Sequence, residues 1–184
     1  LVFALARSGV KVPQKYFDTY YKNTEDYVAS VNGVLSRKKN TEYSRVILAL
    51  TAIGKDPRNV AGFDLLLPLG NFDETVSQGV NGAIFALLAL DSGNYEIPEN
   101  PDAAVQATRQ MYIDRILECQ LPDGGWSLFG GTEAAGSGDG VSDPDITGMA
   151  LQALAKYQDQ PAVAEATEEA LACMSKKQST DGGF

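Results

Sequence analysis

Apolar residues recur along this chain at helical spacings, and no stretch alternates convincingly in the manner of a strand. Thr24 and Glu25, followed by Val28, Val31 and Leu35 at steps of three and four, predict a capped amphipathic helix ending near Arg37. Asn40 and Thr41 are expected to cap the next helix. Its Val46, Ile47, Leu48, Ala49, Leu50, Ala52 and Ile53 are apolar all round until Gly54 stops it. A helix apolar on every side must be surrounded by protein. The alternation continues with a mixed segment near Asn59 to Leu67 and the apolar run Ala83 to Leu90, stopped by Asp91-Ser92-Gly93. Pro101 should open an amphipathic helix reaching Cys119. Ser142 or Asp143 should cap a small-residue helix started by Pro144, and Pro161 a last one running towards Met174.

Four segments of the all-apolar kind can be laid over one another: Phe3 to Ala6, Leu48 to Thr51, Phe85 to Leu88 and Leu151 to Leu154. Such helices alternate with one-sided ones, as inner helices covered by outer helices would in a two-layer ring or solenoid. The expected fold is therefore all-α, with about four helical hairpins. No heptad seam survives the Gly and Pro breaks, which disfavours a coiled coil.

A heptapeptide repeats within this pattern. Gln120-Leu-Pro-Asp123-Gly124-Gly125-Trp126 returns as Gln178-Ser-Thr-Asp181-Gly182-Gly183-Phe184, each copy expected just after an outer helix and before an inner one. Adjacent glycines permit positive φ, the Asp can accept from turn amides, the aromatic can pack on a neighbouring hairpin, and the Gln can satisfy carbonyls at a helix end. Scaffold chemistry accounts for all four kept positions. A ligand-stacking role for Trp126, the only Trp, is the alternative.

Composition narrows the chemistry. The 184 residues fit one domain, 1–184, and 44% hydrophobic residues suffice for a core. The chain opens within a helical pattern without Met and closes within a motif, as a piece of a larger protein would. With 15 Lys and Arg against 24 Asp and Glu, the net charge of −9 repels nucleic acid and anionic membranes. No apolar run reaches the roughly 18 residues of a membrane-inserted helix. The absence of His removes the commonest metal ligand and general base. Cys119 and Cys173 cannot form a zinc site alone; they are expected to be buried thiols, with a disulfide as the alternative. In the glycine-rich run Ser127 to Val141, Asp139 together with Asp143 and Asp145 could form a loose Ca²⁺ site, although the EF-hand ligand order is missing and a plain insertion explains the run as well.

The run Ile116 to Gln120 with Asp123-Gly-Gly-Trp126 resembles the QW-type repeat of squalene and terpene cyclases within the prenyltransferase and squalene-oxidase repeat superfamily. Tyr43 to Leu50 with Gly54 to Pro57, Gln78 to Gly82 and Asp91 to Tyr95 look closest to bacterial cell-surface proteins related to the cobalamin carriers intrinsic factor and transcobalamin. The resemblance implies an α/α toroid and, with about four hairpins, a partial toroid or arc rather than a closed ring. It also implies a secreted or cell-surface setting.

Resemblance also supplies activities to weigh. The zinc of prenyltransferases needs a His, and complement-type thioesters need a Gly after the Cys, so this chain fits neither. Class II cyclases carry Asp-x-Asp-Asp-Thr, matched here by Asp143-Pro144-Asp145-Ile146-Thr147, with Ile146 replacing one carboxylate. If the chain were such an enzyme, Asp145 would be the acid and Asp143 its partner. Equally, Asp143 to Asp145 reads as a helix N-cap with acids at the positive end of the dipole. Asp145-Ile-Thr-Gly-Met149-Ala150 resembles the corrin-contacting stretch of cobalamin carriers, making cobalamin an alternative ligand. The leading expectation is a non-catalytic module with no resident cofactor and no catalytic residue or metal. It would bind a small molecule, glycan or protein through Tyr43, Ser44, Gln78, Asn81, Asp143, Asp145 and Thr147, near the inner-helix starts.

Overall fold

A computed structural model describes residues 1–129 and 141–184. Asp139, and with it the conceivable Ca²⁺ site, lies outside the described residues, as does most of the glycine-rich run. All regular structure among the described residues is helical, apart from two isolated bridges, Val60 with Phe63 and Asn71 with Gln106. No described helix is long and apolar enough to cross a membrane. The chain forms two compact units, one of Leu1–Thr75 and Leu88–Thr108, the other of Val76–Leu87 and Arg109–Phe184.

In the first unit, α1 (Val2–Arg7) packs on α3 (Asn40–Ala52). Between them α2 spans Gln14–Ser30, starting ten residues before the expected cap. Thr24 does not begin this helix; its hydroxyl donates to Tyr20 O at 2.9 Å, a bond typical of a helix interior. Val31 ends α2 as its C-cap, and the chain reverses through Asn32 and Gly33 at φ 50° and 76°. Helix α3 starts where expected, but the cap reading of Asn40 is corrected. Lys39 is the N-cap, with no side-chain bond, and the Asn40 amide reaches across the unit to Pro68 O (3.1 Å) and Thr75 Oγ1 (3.0 Å). Gly54, at φ 75°, ends α3 in a Schellman turn, Lys55 N donating to Leu50 O at 2.9 Å and Gly54 N to Thr51 O at 3.1 Å.

The segment from Asn59 to Leu67 is not helical. Ala61 and Gly62 take left-handed φ, Val60 and Phe63 exchange backbone bonds, and Leu65 N donates to Pro57 O. A 3-10 turn over Leu67–Gly70 leads into the five-residue α4 (Phe72–Val76). Helix α5, Val80–Ser92, follows the predicted apolar run; Ala83, Ile84, Ala86, Leu87, Ala89 and Leu90 are wholly buried. It closes with Asn94 at φ 53° and Tyr95 N on Leu90 O.

The helix expected from Pro101 begins only at Arg109. Residues 98–108 instead form an irregular, turn-containing strip tied to the rest of the unit: Phe72 N donates to Val105 O at 3.0 Å, Ala107 N to Gly70 O at 2.8 Å, and the Gln106 amide to Pro98 O at 3.1 Å. These long-range bonds outweigh the local helical pattern.

In the second unit, α6 (Arg109–Glu118), α7 (Pro144–Leu154) and α8 (Pro161–Lys177) pack through Tyr112, Ile113, Ile116, Ala150, Leu154, Val163, Ala166 and Ala170, all buried. Prolines start α7 and α8 as predicted, and α7 runs into a 3-10 turn, Ala155–Tyr157. Reciprocal amide bonds of 3.1 Å join Gln110 on α6 to Gln160 before α8. Cys119 and Cys173 are buried free thiols, so the disulfide alternative is set aside.

Candidate functional site

The Gln120–Trp126 turn is built from its own backbone outward. Leu121 and Gly125 close it, N to O at 2.8 Å, and Gly124 at φ 90° completes the reversal. The Gln120 amide donates to Gly124 O inside the turn (2.8 Å) and to Ala166 O of α8 (3.0 Å). Glycine at 124 is needed twice over, since a Cβ would lie 2.7 Å from Glu169 O. At Gly125 it would meet Ser142 Cβ at 2.4 Å. Trp126 is fully buried; its indole donates to Ile116 O at 2.7 Å and its amide to Thr147 Oγ1 at 2.9 Å.

Asp123 links this turn to α7 and α8. One carboxylate oxygen accepts from Gly125 N (3.2 Å), the other from Ser142 N (3.1 Å) and Ser142 Oγ (2.9 Å), with Lys177 Nζ 3.5 Å away. Partial burial alone would raise its pKa, but the Ser142 and Gly125 donors with Lys177 outweigh that and hold it below the ordinary value. Since Ser142 Oγ gives its proton to Asp123, the Cys173 thiol 3.2 Å away is left to donate to Ser142. Every kept residue of the first copy thus has a structural partner.

The residues expected at helix starts fall in three groups. Asp143, Asp145 and Thr147 share the first turn of α7. Asp143 caps it, one carboxylate oxygen accepting from Asp145 N (2.8 Å) and Ile146 N (3.0 Å), while Thr147 is buried under Trp126 and Asp145 is exposed. Gln78 and Asn81 flank the start of α5, where Asn81 Oδ1 is buried without a hydrogen-bond partner among the described residues. Ser44 is turned into the core and bonds Asn40 O at 3.4 Å. Tyr43 is also buried in α3, its hydroxyl accepting from Leu35 N at 3.0 Å and donating to Ser36 O at 3.4 Å.

Tyr43 also lines a cleft of about 620 Å³ within the first unit. Its other walls are the 32–37 turn with Arg37, Asn40 at the start of α3, Phe63 and Asp64, Asn71 with Glu74, and Asn100 with Asp102. The sequence reading missed most of these residues. Two of its amides are fixed by bonds to backbone: Asn71 Oδ1 accepts from Glu74 N (3.3 Å), and Asn100 donates to Leu67 O (3.0 Å) while accepting from Asp102 N (2.9 Å). Phe63 is held against Gly33, where a Cβ would come 2.4 Å from the ring. Burial raises the Asp64 carboxyl above its ordinary pKa despite the Leu66 N–H at 2.8 Å and nearby Arg58. Such a wall of amides and carboxylates, with Phe63, Leu67 and Pro68 between them, can hold a polar ligand with one apolar face. The Asn100-Pro-Asp102 turn signal was the readable clue.

Among the described residues, no group of three or more Cys, Asp and Glu is placed to hold a metal ion. Comparison with protein-family models, with curated proteins and with solved structures finds no match.

Proposed function

We propose that this chain is a non-catalytic binding module of the α/α-toroid type, complete or partial, which holds a small molecule, glycan or protein segment in the Tyr43–Phe63–Asn100 cleft. The observation that carries this reading is the cleft itself: about 620 Å³, with the lining amides of Asn40, Asn71 and Asn100 held by backbone bonds. Pre-organised polar groups lower the ordering cost of binding. The resemblance to bacterial surface proteins extends the reading to a secreted or surface-displayed setting.

The α7 start supports the non-catalytic side. Asp143 spends a carboxylate oxygen on capping, Asp145 stands exposed, and Ile146 occupies the place of a third acid. General-acid carboxyls are set in apolar enclosures, and Asp145 is exposed.

The test is thermal melting and titration with glycans, corrinoids and polyprenoids. A ligand of the module at 100 times its Kd adds about 2.7 kcal/mol of stability, and the Arg37→Ala and Asp102→Ala variants should weaken it. Polyprenoid turnover abolished by Asp145→Asn would overturn the proposal, as would binding indifferent to both cleft variants.

A further inference from the structure

Two buried amides in the lining of the Tyr43–Phe63–Asn100 cleft are joined through one hydroxyl. Asn40 and Asn71 are only 5% and 6% exposed. The Asn40 amide nitrogen donates to Thr75 Oγ1 at 3.0 Å, and Thr75 Oγ1 donates in turn to Asn71 O at 2.7 Å. Each amide is half satisfied. The N–H groups of Asn40 are taken by Pro68 O and Thr75 Oγ1, while its Oδ1 accepts nothing among the described residues. Asn71 is the reverse: Oδ1 accepts from Glu74 N, and Nδ2 donates to nothing among the described residues. Neither atom is sealed from solvent, because the described side-chain polar atoms buried without a partner are Asn81 Oδ1 and Arg115 Nε. As both residues line the cleft, Asn40 offers it an acceptor and Asn71 offers it donors.

Around these amides the cleft is rich in acceptors. Asp64, Glu74 and Asp102 supply carboxylates, against Arg37 as the single cation among the described lining residues. The Phe63 ring stands between them, backed by Gly33. A matching ligand turns more donors than acceptors to the walls, carries no negative charge, and has one face of C–H groups to lie on the ring. A phosphate or carboxylate meets surplus negative charge. A polyprenoid leaves Asn40 Oδ1 and Asn71 Nδ2 dry and unpaired, which costs free energy. A peptide backbone brings a carbonyl with almost every N–H, so many of its polar groups confront other acceptors. Hydroxyls answer both demands. Each can turn its proton to a carboxylate or to Asn40 Oδ1, and its oxygen can accept from Asn71 Nδ2 or Arg37.

Resting on the reading of this cleft as a binding site, we infer that its ligand is an uncharged sugar ring, one C–H face on Phe63 and its hydroxyls shared among Asn40, Asn71 and the carboxylates. Acidic sugars are excluded by the same carboxylates that accept the hydroxyl protons of neutral ones.

The test titrates the isotope-labelled chain with methyl glucoside, methyl galactoside and methyl mannoside, with the methyl uronide of each, and with spermidine and cyanocobalamin, following the side-chain amide signals by NMR. At least one neutral glycoside should shift the Asn71 amide signals saturably, and the uronide of the same sugar should bind severalfold more weakly. Asn71→Asp keeps an acceptor for Glu74 N but removes the donors, and should weaken that glycoside roughly two- to twelvefold. Phe63→Leu keeps an apolar group against Gly33 without the ring and should weaken it as well. Thermal melts check that each variant folds, and the parent's Asn71 signals carry the result where one does not. Asp102→Asn should narrow the disadvantage of the uronide. A uronide or spermidine bound as tightly as the best neutral glycoside, or glycoside binding that leaves the Asn71 signals unmoved, would overturn the inference. Cyanocobalamin shifting those signals when no glycoside does would overturn it too, yet leave the binding-cleft reading standing; no shift with any probe would sink both.

Discussion

Gly124 and Gly182 offer a matched pair, because both sit at φ 90° within the same turn and only the first lies under another helix. Replacing either with Ala imposes the same left-handed penalty, about 1–2 kcal/mol, reduced by the 0.4–1 kcal/mol or so that a less flexible unfolded chain returns. The Gly124→Ala methyl would additionally approach Glu169 O to 2.7 Å and Glu169 C to 2.9 Å. Those are backbone atoms in the middle of α8 and cannot swing aside, so overpacking adds about 1–3 kcal/mol. The expected costs are therefore about 1–4.6 kcal/mol for Gly124→Ala and about 0–1.6 kcal/mol for Gly182→Ala. In a chain of this length that corresponds to Tm falling by about 2–18 °C in the first case and by at most about 6 °C in the second. Circular dichroism melts, with urea titrations to check that the m-value is unchanged, measure both. Equal losses in the two variants would refute the claim that the seating of α8 on the first turn sets its glycine requirement.

Trp126→Phe removes the indole donor to Ile116 O from a fully buried site and should cost about 1–3 kcal/mol in a urea titration at neutral pH. Asp123 has a folded pKa below its unfolded value of about 3.9, so its contribution is full above that value and is lost as pH falls through the folded one. Asp123→Asn should therefore lower Tm at pH 7, and the gap to the parent should narrow as the solution is acidified from the ordinary carboxylate value through the folded one. Asp64 has the opposite sign: its folded pKa is raised, so stability declines as pH climbs from about 3.9 through the folded value. Asp64→Asn keeps an acceptor for Leu66 N and should raise Tm at pH 7 while leaving it unchanged near pH 3; a gain at both would refute the burial argument.

Legibility in the sequence followed the reach of the interactions. The starts of α7 and α8 were readable because Asp143 and the prolines at 144 and 161 act within one helical turn, and α5 because its apolar run is unbroken. The Asp-Gly-Gly turn was readable as scaffold because its glycines and Asp close on themselves. The first half of α2 was not, since Val28 is the only buried residue along it and aromatic residues on several sides blur its face. The helix drawn from Pro101 failed at its start because Phe72 and Gly70 hold that strip in an irregular path through bonds to Val105 and Ala107 that no local window contains. The cleft was least legible of all. Tyr43 was singled out, but Phe63, Asn71 and Asn100 come from separate loops, and only folding brings their groups together around it.

The two buried thiols make the second unit its own timekeeper. Cys119 is fully buried, and burial pushes its thiol pKa up; Cys173 sits on the buried side of α8 against the Ser142 hydroxyl. A thiol reagent can reach either sulfur only when the protein opens, so native-state labelling rates count opening events rather than surface encounters. If α8 lifts from Ser142 by itself, Cys173 reacts first and Cys119 lags; if α6 and α8 part from the core as one body, both react at a single rate. The two free thiols therefore record whether the turn and its helix are separate moving parts.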